Sequence, residues 1–97
     1  MRPPEERTAG PVRLRIVNAR GLHARASARF VTEASRHAAR ITVAKDGQVV
    51  SATSIMGLMM LCAAQGDEIE LSAAGAGAEE ALAALATLVA SGFGEDR

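Results

Sequence analysis

The chain has 97 residues, with eleven Lys/Arg balanced by eleven Asp/Glu, two His, one Cys, two Phe and no Trp or Tyr. A chain this long forms one domain and buries roughly 60–70% of its unfolded surface, enough for a core without disulfide staples. The single Cys62 excludes an internal disulfide framework, only two histidines are present to build a metal site, no apolar run reaches membrane-span length, and the scarcity of aromatics argues against nucleic acid.

Residues 1–10 are polar and proline-bearing without the apolar stretch of a signal peptide, and they read as a flexible leader to one domain over residues 11–95. Val12, Leu14 and Ile16 alternate with Arg13 and Arg15, which predicts a strand with one buried face. Residues 18–21 turn it toward a helix over residues 24–37, with apolar positions Ala26, Phe30, Val31, Ala34 and Ala38. An Arg29–Glu33 pair at i, i+4 supports that helix, and Arg36 and His37 suit its negative end.

Residues 41–45 and 48–51 flank Asp46-Gly47, a pair suited to a type I′ hairpin because both central positions need positive φ. Ser54 then reads as the N-cap of a short apolar helix over residues 55–62, with Gly66 as its stop. Cys62 reads as a small core residue in a reducing, cytosolic setting. Residues 67–73 alternate again as a last strand, and a glycine-alanine loop leads to a helix from Ala78 to Ser91 with Leu82, Leu85, Leu88 and Val89 on one stripe.

The order β-α-β-β-α-β-α points to an α+β open-faced β-sandwich, a four-stranded antiparallel sheet with three helices on one face. Interleaving in the ferredoxin-like manner sets the first strand beside the fourth, with Arg13 and Arg15 near Glu68 and Glu70 on the wet face. Charge is segregated along the chain: residues 1–45 hold ten Lys/Arg against three Asp/Glu, and residues 46–97 hold one against eight. Such a split favours a basic field around the first helix and anionic partners.

At the mouth of that helix stands Gly21-Leu22-His23-Ala24-Arg25. The unpaired N–H groups and dipole of a helix start stabilise an anion by roughly 0.3–1 kcal/mol, which suits a phosphate. Histidine is a nucleophile near neutral pH, and Arg25 adds a planar fork of donors two residues later. Taken alone, the motif fits a helix-capping imidazole beside a solvated arginine equally well. Arg20 and Arg29 read either as part of an anionic field or as solvated charges.

Gly21-Leu22-His23-Ala24-Arg25, followed at the expected distance by Ser54-Ile55-Met56-Gly57, resembles the HPr family of small histidine phosphocarriers of the bacterial phosphoenolpyruvate-dependent phosphotransferase system. The likeness covers about residues 11–95. It implies that His23 accepts a phosphoryl group on Nδ1 from enzyme I and passes it to an enzyme IIA domain, with Arg25 binding the phosphate. It also implies that Ser54 is phosphorylated by HPr kinase/phosphorylase where the host has that enzyme, and that Ala28, Ile55, Met56 and Met59 form a docking face. The carrier is expected to be a cytoplasmic monomer, not an enzyme with turnover of its own, and to need no cofactor or metal. It has no membrane or nucleic-acid partner. Ala26 stands where many members have proline, which presets φ in the first helical turn. The closing Phe93-Gly94-Glu95 and the run from Gly57 to Met60 lean toward the nitrogen-type branch, NPr, or toward HPr of bacteria whose system is mainly regulatory.

Two other function classes compete. One is a regulatory interaction protein gated by Ser54, against which the retained His23 argues. The other is a hydrolase with His23 as base, for which the motif offers neither a nucleophile nor a carboxylate.

Overall fold

The computed structural model describes residues 7–95, so residues 1–6 of the leader and residues 96–97 lie outside the described residues. The elements are β1 (Thr8–Arg15), α1 (Ala24–Ala34), β2 (Arg40–Lys45), β3 (Gln48–Ser51), α2 (Ile55–Met60), β4 (Glu68–Ala74) and α3 (Ala78–Ala90), followed by a 3₁₀ turn at Gly92–Gly94. They form the α+β open-faced sandwich expected from the sequence, with one antiparallel sheet in the order β1-β4-β2-β3. The first strand does lie beside the last.

Alternation sorts the sheet into two faces. Ile41, Val43, Ile69, Leu71 and Ala73 point into the core, where Ile16, Phe30, Leu58, Leu85, Val89 and Phe93 meet them. On the open face Arg13 stands opposite Glu70 and Arg15 opposite Glu68. The Arg13 guanidinium reaches Glu70 at 2.9 Å and Glu68 at 3.6 Å, and Arg15 reaches Glu68 at 3.8 Å. The charges of β1 and β4 therefore meet and cancel on the sheet, while Arg20, Arg25 and Arg29 remain exposed on or before α1.

Several expectations need correction. Thr8 to Gly10, assigned to the leader, belong to β1, whose register shifts between Ala9 and Val12. Pro11 sits in β1 because, at a bulge on an edge strand, its missing N–H costs no ladder bond. Helix α1 stops at Ala34, three residues early. Glu33 pairs not with Arg29 but with His37 at 3.0 Å and Arg36 at 3.7 Å, which fold back past the helix end. Helix α2 stops at Met60, and Cys62, not Gly66, takes the left-handed position after it with φ +53°. That conformation turns Cys62 outward, so it is exposed and no part of the core. The Asp46-Gly47 turn has positive φ at both residues, as the hairpin requires.

The C-terminal turn was not foreseen. Phe93 adopts φ +58° and is fully buried, pinning the chain beyond α3 into the core. Phe93→Ala should lower stability by about 3–5 kcal/mol, the usual range for emptying a buried aromatic site. Chemical denaturation will read this as a lower midpoint, and a loss below about 1 kcal/mol would mean that the turn is not anchored by its ring.

Candidate functional site

The segment before α1 is held by its neighbours rather than by secondary structure of its own. Leu22 N–H donates to the Ala63 carbonyl at 2.9 Å, and Gln65 Nε2 donates to the Val17 carbonyl at 2.9 Å. Gly21 is forced by this contact. Its φ is +61°, and a Cβ there would stand 2.3 Å from the Ala63 carbonyl oxygen. Ser27, fully buried, donates its Oγ hydrogen to the Leu22 carbonyl at 3.1 Å and ties the loop to the first turn of the helix.

His23 is the N-cap of α1. Its Nδ1 accepts the Arg25 backbone N–H at 3.3 Å, so this nitrogen holds a lone pair directed at the helix mouth. The helix-capping imidazole weighed from the sequence is present. Nε2 faces the other way, 2.5 Å from Glu95 Oε2, with the two side chains only 15% and 13% exposed. A carboxylate only accepts, so Nε2 carries the ring hydrogen. Arg25 is exposed, and its side chain forms no salt bridge among the described residues.

Glu95 is the site residue that the sequence reading missed, because it lies 72 positions away and its motif carries no signal of proximity. Its other oxygen accepts from Asn18 Nδ2 at 3.0 Å, and the same nitrogen donates to the Gly21 carbonyl at 2.9 Å. Arg29 is exposed, and its Nη1 donates to the Phe93 carbonyl and braces the turn that presents Glu95.

Ser54 caps α2 as expected, its Oγ accepting the Gly57 N–H at 2.9 Å. A side chain at Gly57 would crowd Ser54 Oγ at 3.0 Å and Val50 Cβ at 3.1 Å. Of the six residues of α2 only Leu58 is buried. Ile55, Met56 and Met59 are exposed, and so is Met60, which the docking face read from the sequence left out; Met56 and Met60 are 68% and 65% exposed. Helix α2 packs on α1. Ala28 is half-buried on α1 and lines a groove with Arg25, Arg29, Thr32 and Leu88 of α3.

Burial pushes the Glu95 carboxyl up, but hydrogen bonds from Asn18 and His23, the charge His23 carries when protonated, and the charge of Arg20 outweigh it and hold the group below the ordinary carboxylate value. The ionised form therefore favours the fold. Its contribution is complete above the ordinary carboxylate value and is lost as pH falls through the lowered one. Urea denaturation of wild type and Glu95→Ala should show a stability gap that is constant above the carboxylate range and closes toward acid. A gap independent of pH would exclude the charge as its source.

A family model described as "PTS HPr component phosphorylation site" matches residues 12–91. The phosphocarrier protein HPr of Neisseria meningitidis is 48% identical over 82 residues, covering 84% of this chain and 92% of the relative. The HPr-like protein Crh of Bacillus subtilis is 48% identical over 69 residues, 71% of this chain and 81% of its own length. Among solved structures, an HPr from Thermoanaerobacter tengcongensis superposes with a TM-score of 0.85 at 48% identity, covering 89% of this chain and 97% of that one. Sequence, length and fold agree, and the chain belongs to the HPr family, the phosphocarrier proteins of the phosphotransferase system.

Proposed function

We propose that His23 is the phosphoryl acceptor, receiving the group on Nδ1 from phosphorylated enzyme I and passing it to an enzyme IIA domain, so that the protein is a relay substrate rather than an enzyme. The observation that carries this reading is the division of labour in the ring, with Nε2 bound to Glu95 and Nδ1 left as the lone-pair atom at the mouth of α1. The lone pair attacks phosphorus, the Nδ1–P bond forms, and the bond from phosphorus to enzyme I breaks with its electrons leaving to that protein. Such a transfer asks for in-line positioning and charge stabilisation. The Arg25 N–H, released from Nδ1, is placed to donate to a phosphoryl oxygen, and the Arg25 guanidinium has no competing carboxylate among the described residues.

Ile55, Met56, Met59 and Met60, with Ala28 and the arginines of α1 at its edge, form the face on which enzyme I and the acceptor dock in turn. Flexible thioethers suit a surface that must fit unrelated partners. Phosphorylation of Ser54 by HPr kinase/phosphorylase places charge beside this face without undoing the helix, since an anion at a helix N-terminus is tolerated.

Incubation with phosphoenolpyruvate and enzyme I, followed by intact mass measurement, should show one acid-labile phosphoryl group that His23→Ala does not acquire. No gain with a competent enzyme I would end this reading. Arg25→Glu should fold yet accept the group far more slowly, and Arg25→Lys should fall between, because a point charge replaces a fork.

Ser54→Asp keeps a capping oxygen and should leave the melting midpoint nearly unchanged while raising KM for the carrier in the enzyme I assay. Ser54→Ala should cost about 0.5–2 kcal/mol of stability and leave that KM in place. An unchanged KM in Ser54→Asp would make Ser54 a cap and nothing more.

A further inference from the structure

Asn18 is fully buried and uses only one of its two polar atoms. Nδ2 donates to the Gly21 carbonyl and to Glu95 Oε1, while Oδ1 has no partner among the described residues. The orientation is dictated by the neighbours: both are acceptors, and a flipped amide would set an oxygen against two oxygens. A buried acceptor left unpaired is costly. The side chain is therefore stationed for its two donated bonds, one of which ends on the carboxylate that holds His23.

We propose that Asn18 is a positioning residue which, by fixing Glu95, keeps the ring hydrogen of His23 on Nε2 and the reactive lone pair on Nδ1. This rests on the carrier reading for its consequence in transfer. When Nδ1 of the neutral ring bonds to phosphorus, Nε2 keeps its hydrogen and the ring takes on the positive charge of an imidazolium. The Glu95 carboxylate, 2.5 Å from Nε2, stabilises that charge. On transfer to the acceptor the N–P bond breaks, its electron pair returns to Nδ1, and the ring leaves as the same neutral tautomer. No proton is exchanged with solvent in either direction, and the leaving group is a neutral imidazole rather than an anion. Phe93 and the Arg29 bond to its carbonyl bring Glu95 to the site, whereas Asn18 is the residue besides His23 that touches its carboxylate.

The tautomer is read directly by ¹⁵N NMR on the unphosphorylated, full-length protein. Wild type should show a protonated Nε2 and an unprotonated Nδ1, and Asn18→Ala, Asn18→Asp and Glu95→Ala should each give a mixture. The Asn18 side-chain amide proton should move upfield in Glu95→Ala, a measurement that needs no change at Asn18. With enzyme I, kcat should fall about tenfold in Asn18→Ala with KM unchanged, in the range seen when a supporting hydrogen-bond partner is removed. Asn18→Ala/Glu95→Ala should be no slower than Glu95→Ala, because Asn18 acts through Glu95. A mixed tautomer in wild type, an unmoved amide proton, a pure Nε2–H ring in Glu95→Ala, or an additive double variant would each overturn the proposal. Failure of wild type to accept a phosphoryl group would end the carrier reading and leave the tautomer result standing.

Discussion

The pairing of β1 with β4 is the constraint on which the rest of the molecule depends. It joins strands some fifty residues apart, and it is continued beyond the strands by Ile16 N–H on the Asp67 carbonyl and Gly66 N–H on the Ile16 carbonyl, both 2.8 Å. That zipper carries the chain straight from the edge of the sheet onto the loop after α2. There Leu22 binds Ala63, and the room left for Gly21 admits no side chain. Without it the His23 loop would have no wall to rest on, and a short glycine-containing segment costs too much conformational entropy to order by itself.

From this frame the site follows as a meeting of chain ends. Helix α1 supplies the mouth, and α3 packs on the sheet and delivers the turn that Phe93 locks into the core. One imidazole then performs two jobs with two nitrogens, accepting from the helix through Nδ1 and donating to Glu95 through Nε2. The cap bond at 3.3 Å is long, which leaves Nδ1 weakly committed to the helix. The bond at Nε2 is short and nearly buried, and the ring is held from that side.

Charge shows the same logic at larger scale. The basic first half and acidic second half do not form two lobes, because β1 and β4 carry Arg13, Arg15, Glu68 and Glu70 to facing positions. Arg20 and Arg25, which form no salt bridge among the described residues, stand exposed at the start of α1, beside an apolar α2 whose methionines stand in solvent. A small helix that buries only Leu58 contributes little to the core and much to the surface.

Local chemistry was legible in the sequence alone. The hairpin at Asp46-Gly47, the cap at Ser54, the alternation of the first and last strands and the helix beginning after His23 are decided by φ preferences and side-chain periodicity within a few residues. That the first strand lies beside the last was also legible, whereas the place of β4 inside the sheet, between β1 and β2, with β1 at the edge, was not. Tertiary structure alone decided the partners. The sequence offers Arg29 a carboxylate at i, i+4, but the Phe93 carbonyl is the neighbour it meets. Cys62 has the composition of a core residue, but the end of α2 needs a left-handed turn there and swings it outward. Thr8 to Gly10 read as leader until pairing with β4 draws them into the edge strand. Glu95 is a carboxylate near the end of the chain with nothing local to mark it. Its role exists only because burying one phenylalanine brings residue 95 against a ring at residue 23, and such contacts are set by packing rather than by any pattern in the neighbouring residues.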